Sequence, residues 1–211
     1  MKKIFLASSV NAVAESLAKE INPAKHPKLI FIDTASEPEE RDKSWLRNDR
    51  QSLVDAGFEV TDYTITNKAS EEIKEKVSQT DVIFISGGNT FYLLEKAQQS
   101  NFIPLLKDFV LNQDKIYIGS SAGSVFAGPD IKPVFELDDV TKAPNIKGCE
   151  GAQLVDFVVL PHWGSDKFKE KYLNRRVENN FNTKNKLILL TDNQYVSVKD
   201  DWYKIIDVKN D

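Results

Sequence analysis

The sequence feature that most restricts the fold is Gly119-Ser120-Ser121-Ala122-Gly123, a Gly-x-Ser-x-Gly segment that follows three apolar residues. This pattern is typical of a sharp turn from a strand into a helix, whose central residue adopts a strained backbone conformation. The positions two before and two after that residue must be small, because strand and helix nearly collide there. The turn holds a hydroxyl above the sheet edge, beside the positive end of a helix. It therefore predicts that Ser121 is a nucleophile; the alternative is a glycine-rich turn that only packs.

The rest of the chain alternates between short apolar segments and segments with helical spacing, which predicts an α/β fold. Continuous apolar strands are typical of a mostly parallel sheet that helices cover on both faces. The sequence shows no linker or repeat, so we expect a single domain over residues 1–211. The predicted strands are 3–8, 29–32, 58–63, 82–85, 115–118, 154–160 and 187–190, the predicted helices include 11–20, 37–56, 70–78, 102–111 and 166–181, and 195–198 and 202–206 form a terminal hairpin.

Charge and hydropathy limit the partners of the chain. The net charge of -4 argues against nucleic acid as the main partner. No apolar run approaches the roughly 20 residues that a membrane helix needs, and the apolar start of the chain is too short for a signal peptide. These observations predict a cytoplasmic protein without a membrane or nucleic-acid partner, and they leave homodimer formation open.

The chain contains one cysteine, Cys149, and two histidines, His26 and His162. An intrachain disulfide, a cysteine-rich zinc site and a histidine-rich metal centre are therefore excluded, although carboxylates leave a magnesium site open. We expect neither a cofactor nor a bound metal. His26 lies between prolines in a surface turn, whereas His162 directly follows an apolar strand. His162 is therefore the candidate general base for Ser121, against the alternative of a structural histidine.

Four candidate segments each follow a predicted strand: residues 87–89, Ser121, His162 and Asp192. Ligands gather beyond the carboxyl ends of the strands of an open parallel sheet, so we expect these segments at one rim. A third triad member should accept a hydrogen bond from the imidazole. The residues alone leave several candidates for this acid: Asp192, Glu136, Asp138 and Asp139.

An oxyanion hole needs two backbone N–H groups that converge on one point. The turn geometry makes the N–H of Ala122 one donor. Gly88, in the turn Gly87-Gly88-Asn89, is the natural second donor, because glycine lets a substrate approach the main chain closely. The rival interpretation of this turn is a phosphate cradle, but no Gly-Lys-Ser/Thr or complete Gly-x-Gly-x-x-Gly accompanies it.

Three segments together resemble the peptidase E family of serine peptidases, family S51. Residues 85–91, ISGGNTF, resemble its Gly-Gly-Asn-Thr segment, and residues 117–123, YIGSSAG, resemble its Gly-x-Ser-Ala-Gly nucleophile motif. Residues 160–163, LPHW, are similar to its Pro-His-aromatic segment. The order and spacing also agree from Lys3 to the C-terminal hairpin, which makes the resemblance more specific than any single motif.

The resemblance implies an α/β fold related to class I glutamine amidotransferases, and cytoplasmic cleavage of small peptides by a Ser-His-acid triad. It assigns Ser121 as nucleophile and His162 as base, and it aligns the acid of the family with Asp192. The best-known members are aspartyl dipeptidases, which remove an N-terminal aspartate, and the related cyanophycinases cleave an aspartate-arginine polymer. The chain departs from the pattern in two ways, since aspartate replaces the usual glutamate and Ser124 stands where alanine is common.

Aspartate specificity in the family depends on an arginine after the histidine. The candidates here are Arg175 and Arg176 in a predicted helix, where arginines are usually solvated, and Asn89 is a further candidate for contact with substrate. We therefore interpret the chain as a serine dipeptidase, with preference for an N-terminal aspartate as the narrower hypothesis. The alternatives are an esterase or amidase with the same triad and a noncatalytic ligand-binding member of the fold. Glutamine amidotransferase activity is disfavoured because the turn carries serine rather than cysteine.

Overall fold

The computed structural model describes residues 2–40, 42–135, 137–172 and 185–209. Strands and helices alternate along these residues as the hydropathy pattern predicts. The strands are β1 Lys3–Ala7, β2 Lys28–Ile32, β3 Glu59–Tyr63, β4 Val82–Ile85, β5 Ile116–Ser120, β6 Phe157–Leu160, β7 Lys186–Leu189, β8 Gln194–Lys199 and β9 Trp202–Asp207. The α-helices are α1 Val10–Ile21, α2 Ser44–Asp55, α3 Ser70–Ser78, α4 Thr90–Gln99, α5 Phe102–Leu111, α6 Ala122–Phe126 and α7 Asp166–Lys171.

The central sheet has seven strands in the order β3-β2-β4-β5-β1-β8-β9. The strands from β3 to β1 are all parallel to their neighbours, and the β8–β9 hairpin adds two antiparallel strands beside β1. The prediction of an α/β fold with a mostly parallel sheet and a terminal hairpin is confirmed. Strand β5 lies in the middle, between β4 and β1, so the turn that follows it opens at the centre of the carboxyl-end rim.

The inner strands β1, β2, β4 and β5 are buried on both faces, whereas the edge strands β3 and β9 are largely exposed. Successive side chains of a strand point to opposite faces. In β1, Ile4 and Leu6 belong to one core, whereas Phe5 and Ala7 belong to the other. Helices α3, α4, α5 and α6 supply apolar side chains to the first core, and helices α1 and α2 supply them to the second. This two-sided packing explains why the strands are continuously apolar rather than alternating.

Strands β6 and β7 form a separate two-stranded parallel sheet. Their backbone pairing continues past the strand ends, since Leu190 N–H donates to the Leu160 carbonyl and Trp163 N–H donates to the Leu190 carbonyl. The segments that carry His162 and Asp192 therefore leave neighbouring parallel strands at the same end. The apolar pattern identifies both strands but does not separate them from the central sheet.

The helix predicted over residues 37–56 is wrong at its N-terminal end, because α2 begins at Ser44. Residues 34–36, just before the predicted range, form a short 3-10 helix. The carboxylate of Glu37 accepts hydrogen bonds from the hydroxyls of Thr64, Thr66 and Tyr92, which hold this segment beside the end of β3 and α4. These contacts stop the chain from continuing as a helix along solvent.

The helix predicted over residues 166–181 begins as expected, with α7 at Asp166–Lys171. The rest of the predicted range, from residue 173 to residue 181, lies outside the described residues. Within the described part of the chain, none of the helices combines the length and the apolar character that a membrane span requires.

Candidate active site

The turn after β5 has the geometry of a nucleophile elbow. Ser121 lies between β5 and α6 with φ 49° and ψ -108°, a conformation that is costly for a residue with a side chain. A Cβ atom on Gly119 would lie 2.7 Å from the backbone of Gly123, and a Cβ atom on Gly123 would lie 2.2 Å from the carbonyl oxygen of Ile85. Both flanking positions therefore require glycine, which confirms the elbow predicted from the sequence.

Hydrogen bonds of buried serine hydroxyls connect the elbow to strand β1 and to the start of α1. The Ser124 hydroxyl, fully buried, lies 2.7 Å from the Ala7 carbonyl and 2.8 Å from the Gly119 carbonyl. Ser120 Oγ accepts the N–H of Val10 at the start of α1. Serine at position 124, where the resemblance leads one to expect alanine, thus adds hydrogen bonds that fix α6 against the sheet.

A chain of hydrogen bonds runs from Ser121 through His162 to Asp192. Ser121 Oγ lies 2.9 Å from His162 Nε2, and His162 Nδ1 lies 2.6 Å from Asp192 Oδ1. With the imidazole proton on Nδ1, His162 donates to the carboxylate and accepts from the serine hydroxyl. His162 also has a positive φ of 64°, so the backbone is held in an uncommon conformation at both the serine and the histidine.

Ser8, directly after β1, connects to both His162 and Asp192 and was missed in the sequence. Its hydroxyl oxygen accepts the backbone N–H of His162 at 2.7 Å, and the hydroxyl donates to Asp192 Oδ1 at 2.8 Å. The side chain is fully buried. The signal that could have found it is its place at a strand end on the same rim as the four predicted segments.

The surroundings of the histidine and the aspartate favour an ionised carboxylate. The hydrogen bond from His162 lowers the pKa of Asp192 below its ordinary value, against the effect of partial burial, and the hydrogen bond from Ser8 acts in the same direction. The Phe168 ring stacks on the imidazole, with ring centroids 4.7 Å apart and an interplanar angle of 14°. This stacking restricts the orientation of the ring.

Gly88 and Ala122 both line the cleft at Ser121, and each has a backbone N–H group. Neither donates a hydrogen bond to another of the described residues. Gly88 has φ +131°, and a Cβ atom there would lie 2.1 Å from the Ala35 carbonyl oxygen, so this position accepts only glycine. A Cβ atom on Gly87 would lie 3.3 Å from Ser121 Cβ, which shows how closely the loop approaches the serine.

The structure gives Asn89 a local structural role. Its side-chain oxygen accepts the N–H of Tyr92 and caps α4, its amide donates to the Asp139 carbonyl at 2.8 Å, and the residue is 3% exposed. These bonds occupy the side chain, so we assign Asn89 to support of the loop rather than to contact with substrate.

The rival acids take other positions, and the predicted arginines fall outside the structural description. Asp138 accepts the N–H of Thr90, and Asp139 accepts the N–H of Thr141. Among the described candidates, only Asp192 is hydrogen-bonded to His162. Three predicted site residues lie outside the described residues: Glu136, Arg175 and Arg176.

The cleft around Ser121 has a volume of about 480 Å³, within the range of small-molecule sites. Its charged and titratable lining residues are Glu39, Asp49, Asp138, His162, Lys167 and Asp192. Over the four described ranges, no group of three or more histidine, cysteine, aspartate or glutamate side chains is arranged to hold a metal ion.

Comparisons with known proteins agree with this geometry. Residues 4–206 match the sequence model of peptidase family S51. An uncharacterised peptidase from Pasteurella multocida is 32% identical over 170 residues, which cover 81% of each chain. Peptidase E from Shewanella denitrificans is 30% identical over 138 residues, which cover 65% of this chain and 54% of that protein.

A crystal structure from Listeria monocytogenes EGD-e, of a protein assigned provisionally to peptidase E, superposes with a TM-score of 0.87. The two sequences are 26% identical, and the match covers 98% of each chain. The fold, the elbow and the sequence relationship therefore lead to one conclusion: the chain belongs to peptidase family S51 and is a peptidase of the peptidase E kind.

Proposed function

We propose that the protein hydrolyses small peptides through a Ser121-His162-Asp192 triad and an acyl-enzyme. The observation that carries this proposal is the continuous hydrogen-bond chain from Ser121 Oγ through both ring nitrogens of His162 to the Asp192 carboxylate. It starts at a serine held in a strained conformation at a helix N-terminus. This arrangement supplies a nucleophile, a base and a group that orients the base.

In the acylation half-reaction, Ser121 Oγ attacks the peptide carbonyl carbon while His162 Nε2 takes the hydroxyl proton. The backbone N–H groups of Gly88 and Ala122 hold the oxyanion that forms. The C–N bond then breaks, and Nε2 returns its proton to the leaving amine. Asp192 stabilises the imidazolium through Nδ1, and Ser8 keeps the carboxylate and the histidine backbone in register.

In the deacylation half-reaction, His162 Nε2 takes a proton from water as the water oxygen bonds to the acyl carbon. Collapse of this second tetrahedral intermediate breaks the ester bond to Ser121 Oγ. The serine recovers its proton from Nε2, and the free carboxylate leaves. No group is consumed in the cycle apart from one water molecule per peptide bond.

A small substrate is consistent with the size of the cleft, and dipeptides are the natural first class to examine. The narrower hypothesis, preference for an N-terminal aspartate, needs a cation facing the substrate. Among the lysines and arginines of the described residues, Lys167 lines the cleft, and this residue is exposed. The arginines considered for this role lie outside the described residues.

A fluorophosphonate probe tests the proposal, because it reacts with an activated serine in a folded protein. We expect labelling of the wild-type protein, loss of labelling in Ser121→Ala and strongly reduced labelling in His162→Ala. The probe experiment is paired with turnover of a dipeptide panel and of simple esters. An unlabelled, folded wild-type protein would contradict the triad, and turnover of esters without any dipeptide would point to an esterase.

A further inference from the structure

Among the residues that the structure describes, the lining of the cleft at Ser121 contains more carboxylates than cations. Four carboxylates line it, against one lysine within the described residues. Two of these carboxylates already have donors, since Asp192 accepts from His162 and Asp138 accepts the N–H of Thr90. A cleft lined in this way attracts cations and repels anions. The remaining carboxylates are those of Glu39 and Asp49.

Asp49 is the least exposed of the charged residues in the cleft, at 6%. Both arginines of α2 are engaged elsewhere, since Arg47 pairs with Asp42 and Arg50 pairs with Asp62. Within the residues that the structure describes, no ion pair or side-chain hydrogen bond reaches the Asp49 carboxylate. The backbone N–H of Asn11 in α1 donates a hydrogen bond to it. Buried carboxylates normally have a counter-charge, and here the open side is the cleft.

Trp45 lies one helical turn before Asp49, so the two side chains share a face of α2. A Cβ atom on Gly87 would lie 3.4 Å from the Trp45 ring and 3.3 Å from Ser121 Cβ, which places the indole close to the nucleophile. The face of an indole attracts ammonium and guanidinium groups. An aromatic ring and a buried carboxylate therefore lie on one wall of the cleft, beside the reacting serine.

We propose that Asp49 and Trp45 form a subsite that binds a positively charged group of the substrate. That group is either the α-ammonium of the peptide N-terminus or a lysine-like or arginine-like side chain. The inference rests on the proposed peptidase function and names its substrate class as small peptides that place a cationic group in this subsite. Burial supports it, because it raises the pKa of Asp49 to about 7, and a bound cation would restore the carboxylate.

The competing structural role for Asp49 is to hold the N-terminal turn of α1 through the Asn11 N–H. Asp49→Asn separates the two roles, because asparagine keeps an oxygen acceptor for that N–H but has no charge. The matched control is Asp55→Asn, which removes the same charge from an exposed position of the same helix outside the cleft.

The first measurement compares kcat/KM for three dipeptides that differ only at the N-terminal residue: lysine, its uncharged isostere norleucine, and aspartate. If the subsite binds a side chain, Asp49→Asn lowers kcat/KM for the lysine peptide by about 10- to 100-fold and leaves the norleucine peptide within about 2-fold. If it binds the α-ammonium, the lysine and norleucine peptides lose activity equally. Asp55→Asn changes neither value.

The second measurement uses calorimetric binding to Ser121→Ala, which requires no turnover, with free and N-acetylated forms of the same peptides. If the subsite binds the α-ammonium, acetylation of a peptide weakens its binding to Ser121→Ala. Adding Asp49→Asn to this variant then has no further effect on binding of the acetylated peptides. If the subsite binds a side chain, binding of the acetylated lysine peptide still depends on Asp49. This comparison tells the two sources of the cation apart.

The inference is overturned if Asp49→Asn leaves every peptide unchanged, or weakens cationic and neutral acetylated peptides alike. Failure of the peptidase proposal has a different signature, namely no probe labelling and no Ser121-dependent turnover. In that case, binding of cationic peptides that depends on Asp49 would still support the subsite. Absence of any peptide binding would contradict the subsite as well as the peptidase function.

Discussion

Ser8 links two residues of the proposed triad, His162 and Asp192, through a single hydroxyl. It accepts from the His162 backbone and donates to Asp192, so it fixes the separation between the strand ends that carry them. Within the described residues its hydroxyl bonds to these two residues, whereas the Ser121 hydroxyl bonds to His162 Nε2. Its expected role is therefore positioning, which acts on the rate of the chemical step more than on substrate binding.

We expect Ser8→Ala to lower kcat by about 10- to 100-fold with little change in KM, as for loss of a hydrogen bond to a charged group. The variant also loses a bond that lowers the pKa of Asp192, so an NMR titration should show a higher pKa for this carboxyl. Ser16→Ala is the control, since it removes a hydroxyl that bonds to Tyr195 away from the cleft. An unchanged Asp192 titration together with an unchanged kcat would refute the role.

Asp49 should make the folded protein less stable as the pH rises. Its folded pKa is about 7, raised by burial from an ordinary value of 3.8. Between these values the folded state binds more protons than the unfolded state, so the free energy of unfolding falls as pH increases and levels off above the folded pKa. From pH 5 to pH 8 the loss from this group is about 2–3 kcal/mol.

Asp49→Asn removes this contribution. Urea unfolding at several pH values should therefore show a flatter pH dependence for Asp49→Asn than for the wild type, with the largest stabilisation by the variant at pH 8. Parallel stability curves for the two proteins would show that the carboxylate is not protonated on folding.

The residues of the proposed triad were legible in the sequence because each follows an apolar strand. Ser121 lies in a motif with steric requirements, and the chain offers few histidines. The burial of Asp49 could not be predicted from the sequence, because Asp49 lies in a charged helical segment where no local pattern marks the carboxylate that turns inward. Its burial follows from how α2 packs on α1, which is a tertiary property.

At the scale of elements, the elbow depends on how closely β4, β5 and α6 approach one another. We expect Gly123→Ala to destabilise the fold by about 2–3 kcal/mol or more, because the added methyl overlaps the Ile85 carbonyl. Gly164→Ala is the comparison with the opposite cause: its φ is +77° and nothing lies within 4 Å of the added atom, whereas Gly123 is helical and meets a steric overlap. It should cost only about 1 kcal/mol, from backbone strain alone.

Thermal or urea unfolding of both variants checks this difference. A loss for Gly123→Ala of about 1 kcal/mol or less would mean that β4 and α6 relax around the added methyl, and that their close approach does not require glycine at this position.

Most elements could be predicted because their hydropathy has a clear period, as in α3 and α5, which match the predicted ranges. The start of α2 could not be predicted, since Glu37, at the predicted start, is hydrogen-bonded to Thr66 and Tyr92, which are distant in sequence, and the helix begins only at Ser44. The separation of β6 and β7 from the central sheet was also not predictable. An apolar strand has the same sequence signature in either sheet.

At the scale of the molecule, Glu20 joins α1 to the terminal hairpin. Its carboxylate accepts from Tyr195 and Ser197 in β8, and it pairs with Lys199 at 3.0 Å and with Lys204 in β9 at 3.6 Å. Burial raises the pKa of Glu20, but hydrogen bonds from Lys199 and Tyr195 outweigh it and leave the pKa below its ordinary value of 4.5. The carboxylate therefore stabilises the fold when it is ionised.

We expect Glu20→Gln to lower the free energy of unfolding by about 1–3 kcal/mol at pH 7. A lowered folded pKa means that this stabilisation is present above pH 4.5 and is lost as the pH falls through the folded value. The gap between wild type and variant should therefore close at low pH. Glu15→Gln, at an exposed position of the same helix, is the control; a gap that stays constant with pH would contradict the ionic contribution.

The division of the strands between two sheets has a consequence for when activity can arise. Ser121 is supplied by the central sheet, whereas His162 and Asp192 are supplied by the small β6–β7 sheet, and Ser8 joins the two. A chain that has formed only its central sheet thus holds a serine hydroxyl with no base beside it. The proposed triad is therefore complete only when both sheets have formed and lie against each other.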